Sequence, residues 1–147
     1  MRIKKLTAFM LIAVMIGLNA LPGISSAAES TLKPVQVFDV AQGKVVKSFD
    51  NDAEFQGFAE SWLKSVTGLA PQLKPDDKCG YVYRIPLTKP AMIKTGNLSL
   101  HVEDVFLFYC AGKPPILLVF DTEKRPYLLN FKADLQPFLN KVGYSAQ

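Results

Sequence analysis

Apolar and polar positions change their spacing several times along the chain, and each change marks an element. Val35-Gln36-Val37-Phe38 and Lys44-Val45-Val46-Lys47-Ser48-Phe49 are β-prone, and Asp39–Gly43 supplies turn residues between them, which predicts a hairpin. The spacing then becomes helical: Phe55, Phe58, Ala59, Trp62, Leu63 and Val66 recur at i, i+3, i+4, i+7, i+8 and i+11, one apolar stripe. Asn51 with Glu54 three residues later predicts a capping box at its start. Gly68 reads as its C′ glycine, with Pro71 and Pro75 beyond. The same acidic start is similar to a calcium loop but lacks the Gly of the sixth place and has Ser61 at the twelfth, so capping is the simpler reading.

Gly80–Leu87 predicts a strand with an edge signal at Pro86, and Thr88–Asn97 a loop in which Ala91-Met92-Ile93 forms at most a short strand. Leu98–Cys110 is a long strand whose parity changes. Leu98, Leu100 and Val102 share one face, Val105, Leu107 and Tyr109 take the other, and Phe106 and Phe108 keep the first. A bulge near Glu103-Asp104, or burial of the second half on both faces, accounts for this. Pro115–Asp121 and Pro126–Lys132 predict a second hairpin, followed by a helix that starts at Asp134, carries Leu135, Phe138, Leu139 and Val142, and ends at Gly143. Val37-Phe38-Asp39, Phe49 and Asp52 match Val119-Phe120-Asp121, Phe131 and Asp134 at an offset of 82, so the chain reads as two hairpin–helix units, by duplication or by convergence.

The elements predict an α+β fold, an antiparallel sheet of about five to seven strands with two amphipathic helices on one face. The expected core is Phe55, Phe58, Trp62, Leu63, Ile85, Phe106, Phe108, Leu118, Phe120, Leu129, Phe131, Phe138 and Leu139. Composition agrees with one folded domain: 147 residues, 49% hydrophobic, with 10 Phe, 5 Tyr and 1 Trp, exclude a disordered chain.

The N-terminus changes the charge picture. Arg2, Lys4 and Lys5 precede the apolar run Leu6–Leu18, then come Asn19, Pro22 and Gly23 and the small residues Ser25, Ser26, Ala27 and Ala28. This is the pattern of a secretory signal peptide over residues 1–28, cut after Ala27 or Ala28, with 29–147 as a single α+β globular domain. A retained anchor is the rival reading, but a spanning helix needs roughly 20 apolar residues. The expected destination is extracellular or the cell envelope, with no membrane span after cleavage. Of the 17 basic residues three leave with residues 1–28, and none of the 13 acidic ones, so the formal charge falls from +4 to +1. Nucleic acid is thereby excluded as an expected partner.

Cys79 and Cys110 both lie in the exported part, where two cysteines favour one disulfide. Free thiols, metal ligation and a catalytic thiol are the rivals, but neither cysteine has a nearby His for the last two. Pairing Gly80–Leu87 antiparallel with the end of Leu98–Cys110 through that bond gives partners whose numbers sum to about 189, placing Tyr81 near Phe108 and Tyr83 near Phe106.

Enzyme signatures are absent: there is no G-x-S-x-G elbow, phosphate-cradling glycine loop or H-E-x-x-H. His101 and Glu103 at i, i+2 share a strand face, as an acid–base pair would, and equally as a solvated polar pair would. Asp76-Asp77 reads as a polar loop, and Asp39 and Asp121 as turn initiators. No catalytic residue, cofactor or metal ligand is expected. Met92 and Ile93, between Lys89 and Lys94, are the candidate partner contact, the alternative being a buried edge strand.

Gly80-Tyr81-Val82-Tyr83-Arg84-Ile85-Pro86-Leu87 and Leu117-Leu118-Val119-Phe120-Asp121 with Arg125-Pro126-Tyr127 resemble small exported proteins of spore-forming Gram-positive bacteria. That group has no assigned activity, so the resemblance implies export and transfers no functional residue. The functional expectation is an exported, non-enzymatic protein that binds a protein or a cell-envelope component. The alternatives are a small extracellular hydrolase using His101 and Glu103, and a structural envelope protein.

Overall fold

The computed structural model describes residues 32–72 and 80–143. The signal-peptide expectation, Asp76-Asp77 and Cys79 lie outside the described residues. Within them the chain forms β1 (Val35–Asp39), β2 (Lys44–Phe49), α1 (Ala53–Lys64), β3 (Val66–Leu69), β4 (Tyr81–Thr95), β5 (Leu98–Tyr109), β6 (Ile116–Phe120), β7 (Pro126–Phe131) and α2 (Gln136–Val142). The strands make one antiparallel seven-stranded sheet in the order β2-β1-β4-β5-β6-β7-β3. The α+β expectation holds in class, strand number and helix number.

One register row explains where the core sits. Val37, Tyr83, Leu107, Leu117 and Leu129 are paired in succession across β1, β4, β5, β6 and β7, and all five are fully buried. Side chains alternate along a strand, so this row defines one face. Both helices lay their apolar stripes on it: Phe55, Ala59, Trp62 and Leu63 from α1, and Phe138, Leu139 and Val142 from α2. Phe138 is the hub, edge-on to Trp62 at 4.8 Å and to Tyr83 at 5.0 Å between ring centroids. Burial pushes the Tyr83 hydroxyl pKa far above its ordinary value, so the phenol stays neutral inside the core.

The ends of α1 differ from the expectation. Asp52 is the N-cap, its Oδ1 accepting from the Phe55 N–H at 2.9 Å, and Asn51 is used elsewhere. Ser65 closes the helix, and the chain runs directly into β3, which pairs with β7. Gly68 is therefore a strand residue with no left-handed conformation, whereas Gly143 caps α2 at φ 66° as expected. Lys141 near the end of α2 donates to Asp52 and Glu54 at the start of α1 and lies 4.8 Å over the Phe55 ring. Opposite charges are thus placed where both helix dipoles favour them.

The segment expected as a loop, Thr88–Asn97, is largely strand, because β4 continues through an irregularity. Pro86 pairs with Asp104 and Ala91 with Val102, so Leu87–Pro90 oppose Glu103 alone. This slip of odd length accounts for the parity change in β5: Leu100 and Val102 are core on one side of it, Val105 and Leu107 on the other. Proline costs no ladder bond at such a place. The freed backbone groups are taken by side chains. Asn51 Nδ2 and Gln56 Nε2 donate to the Pro86 carbonyl at 2.8 and 2.9 Å, and Gln56 Oε1 accepts from the Thr88 N–H at 2.9 Å.

The β4–β5 register corrects the expected aromatic pairs. Tyr81 faces Tyr109, Tyr83 faces Leu107 and Arg84 faces Phe106, a sum of 190 instead of 189. A one-residue slip exchanges the faces of a strand. Phe106 and Phe108 accordingly leave the core, as do Leu118 and Phe120 beside them on β6, and Phe58 and Phe131 are half-buried at its margin.

Candidate functional site

The slip that removes Phe106 and Phe108 from the core places them on the second face of the sheet. Val45, Phe38, Val82, Phe108 and Ile116 are register partners in succession across β2, β1, β4, β5 and β6. The next row continues as Gln36, Arg84, Phe106, Leu118 and Leu128. None of these side chains belongs to the core cluster, and both helices pack against the other face. Phe38 and Val45 are 36% and 47% exposed. Among the described residues, eight apolar side chains of these two rows, with the polar Gln36 and Arg84 at one end of the second, therefore form an open face without a covering layer. Open faces of antiparallel sheets are ordinarily polar. A contiguous apolar one marks an interaction surface.

One end of this face carries charge. A cavity of about 340 Å³ there is lined by His101, Glu103, Asp104, Phe106, Phe120 and Lys124, among others. His101 and Glu103 are both exposed, as the strand alternation predicts. Glu103 lies 3.7 Å from Lys124, and Asp104 accepts from the Arg84 guanidinium at 3.0 Å. Arg84 also lies 5.8 Å over the Phe106 ring, which meets Phe120 edge-on at 5.7 Å. Among the described residues no hydrogen bond joins His101 to Glu103, Asp104 or Thr122, so the hydrolase reading gains no assembled acid–base pair. No group of three or more His, Cys, Asp or Glu among the described residues is placed to hold a metal ion.

The pairing of positions along the chain reappears as shared roles. Asp39 ends β1 and Asp121 follows β6, and both are 8% exposed. Asp39 accepts from the Gln42 backbone and side chain at 2.9 and 2.6 Å. Asp121 accepts from the Glu123 and Arg125 N–H groups on Oδ1, and from Arg125 Nε and the Tyr127 hydroxyl on Oδ2. Both acids initiate turns, as expected. Hydrogen bonds from Gln42 hold the Asp39 pKa below the ordinary 3.8, and at Asp121 burial pulls upward but the bonds from Arg125 and Glu123 prevail. Asp52, bonded first by the Phe55 N–H and then by Lys141, is lowered too.

Carboxyls with lowered folded-state pKa values contribute stability above their unfolded value and lose it as pH falls through the folded one. The thermal midpoint is therefore expected to hold from neutrality to about pH 4 and to fall below it. Asp121→Asn, which cannot accept on both former oxygens, is expected to lower the midpoint at pH 7 and flatten the acid limb. A pH series of melting curves for both proteins checks this, and parallel limbs contradict it.

Of the candidate contact pair, Ile93 is buried at 4% in the core and Met92 is 59% exposed, opposite His101. The pair is split because consecutive strand residues face opposite ways, so of the two only Met92 presents its side chain to solvent. The apolar open face was missed in the sequence, where its aromatic residues read as core. No helix among the described residues is long and apolar enough to cross a membrane. Comparison with protein-family models, with curated proteins and with solved structures gives no match.

Proposed function

We propose that the chain is an exported, non-enzymatic binding protein that docks a partner protein on the open face of its sheet. The observation that carries this reading is the run of apolar side chains across the face, Phe38, Val82 and Phe108 in one row and Phe106, Leu118 and Leu128 in the next, where Gln36 and Arg84 supply the polar end. The charges at its end are matched in sign, Arg84 with Asp104 and Lys124 with Glu103. Such a surface offers no excess positive charge to a nucleic acid or an anionic membrane. It fits an apolar protein face, packed at sheet-on-sheet spacing or by a helix.

Export enters from the pattern of residues 1–28, and the Cys79–Cys110 bridge belongs to the same proposal. A Cβ built on Gly80 would lie 3.0 Å from the Cys110 Cα, so the residue next to Cys79 in sequence is already at the end of β5. Closing the 31-residue separation contributes about 3–4 kcal/mol in the chain-entropy account. Both cysteines are expected to resist alkylation until reductant is added, and labelling of both without reductant, read by intact mass, removes the bridge.

Binding is tested with Leu118→Lys, which puts a charge at the centre of the face between Phe106 and Leu128. A partner retained by the wild-type protein from culture supernatant or envelope fractions is expected to be lost by Leu118→Lys and kept by Lys89→Glu on the helix side. Retention by Leu118→Lys overturns the docking face. A second copy of the chain as the retained species, seen as a dimer by light scattering, overturns the partner assignment.

A further inference from the structure

The apolar part of the open sheet face has a shape, and the shape limits what can dock there. Val45, Phe38 and Val82 are what β2, β1 and β4 offer to it, and the next positions on the same face are Ser48, Gln36 and Arg84. On β5 the apolar part deepens to Phe108 and Phe106 before it meets Asp104. On β6 it takes in Ile116, Leu118 and Phe120, whose ring meets Phe106 edge-on at 5.7 Å. Leu128 of β7, beside Leu118, ends it. The apolar residues therefore form a band that crosses the strands obliquely, with Gln36, Arg84 and Asp104 stepping along one side.

Neighbouring strands lie about 4.8 Å apart, so from β2 to β7 the band is about 24 Å long. Alternate residues of a strand lie about 6.8 Å apart, so the band is about 7–10 Å wide over most of that length. An α-helix of about 16 residues has those dimensions, at 1.5 Å rise per residue and about 10 Å across. A second sheet would align its strands with those beneath and interdigitate along their length. For that, β2, β1 and β4 have one apolar residue each to give. The band covers about 240 Å², less than a third of the about 800 Å² that a folded domain or a second copy of this chain buries per side in an interface of standard size. We infer that the band seats one amphipathic helix of a partner, laid across the strands with its i, i+3, i+4, i+7 stripe on Phe38, Val82, Phe108 and Leu118. This rests on the reading of the open face as a docking surface and names what docks there. Arg84 with Asp104 and Lys124 with Glu103 lie along the flank, where the polar sides of such a helix meet both signs of charge.

Two synthetic peptides of about 16 residues and identical Leu, Glu and Lys content test it, one with leucines at helical spacing and one with leucines at every second position. Fluorescence anisotropy of the labelled peptides, below the concentration at which either self-associates, reads affinity, and circular dichroism reads helix gained on binding. The helical peptide is expected to gain helix and to bind about tenfold more tightly than the alternating one. Leu118→Lys, at the centre of the band, is expected to weaken it about tenfold or more. Val45→Glu and Leu128→Glu, at its two ends, are each expected to weaken it about fivefold or more, and Lys89→Glu to leave it unchanged. Val45 is 47% exposed, so its variant keeps the fold. Absence of binding by the helical peptide, equal or tighter binding by the alternating one, or affinity unchanged in Leu118→Lys or in both end variants overturns the inference. The docking reading is separated by the partner retained from supernatant or envelope fractions. If Leu118→Lys loses that partner while the helical peptide fails to bind, the helix is wrong and the docking face stands, whereas a partner kept by Leu118→Lys removes both.

Discussion

Phe138→Ala is expected to lose about 3–5 kcal/mol of stability, the range for truncating a fully buried aromatic residue. The ring is 0% exposed and contacts Phe55, Phe58, Trp62 and Tyr83, so its loss leaves a void between α1 and the sheet. A second effect adds to the void. Helix α2 has seven residues, its N-terminus held by one side-chain bond from the Gln136 N–H to Asp134 Oδ1, and helices of that length do not persist without packing. With Phe138 gone, Leu139, Val142 and the Lys141 ion pairs are left to hold it. Typical domain stabilities are about 5–15 kcal/mol, so a large fraction is at stake. The single tryptophan, Trp62, lies against Phe138 and reports the transition. Urea unfolding followed by its fluorescence checks the loss, and an unchanged midpoint contradicts the packing of α2 on this face.

Gly80→Ala is expected to destabilise by about 3–5 kcal/mol, for a backbone reason instead of a packing one. Gly80 sits at φ 83°, where an L side chain costs about 1–2 kcal/mol. An added Cβ would also fall 1.9 Å from the Tyr109 carbonyl oxygen, a main-chain atom that cannot turn away. Relief requires separating the start of β4 from the end of β5, where Tyr81 pairs with Tyr109. Gly57→Ala is expected to do the opposite. Gly57 lies inside α1 with nothing within 4 Å of its added Cβ, so alanine stabilises by about 0.5–1 kcal/mol through helix propensity. Chemical denaturation of the two variants checks both signs, and a neutral Gly80→Ala contradicts the close approach of β4 and β5.

How far the fold was legible depends on what each segment carries locally. The stripe from Phe55 to Leu63 announces α1 because a 3.6-residue period has no strand interpretation over that length. The strand Val66–Leu69 was invisible for the opposite reason: it has four residues, one of them Gly68, and becomes a strand only by pairing with β7. Val105–Tyr109 is continuously apolar, and such a run has no period from which to choose a face. Aromatic bulk favoured Phe106 and Phe108 as core, whereas the register with Tyr83 assigns Leu107 to it. The candidate site was legible only in part. His101 and Glu103 follow from alternation along one strand, but Lys124 and Phe120 reach the same cavity across β5 and β6, which sequence spacing does not encode. The clamp of Asn51 and Gln56 on Pro86 spans 35 and 30 residues of sequence, and its only local trace is the pair of prolines at the irregularity.

One face of the sheet holds the fold while the other is left open, and adjacent residues of β6 separate the two. Val119 is fully buried beneath the helices and Leu118, beside it, is half-exposed on the open face. The most direct measurement is the urea midpoint of Leu118→Lys set against that of Val119→Lys. The expected result is a shift of about 1 kcal/mol or less for Leu118→Lys and a loss of about 3 kcal/mol or more for Val119→Lys, which buries an unpaired charge. Equal losses in the two variants, or the larger loss in Leu118→Lys, would contradict it, because the open face would then be part of what holds the protein together.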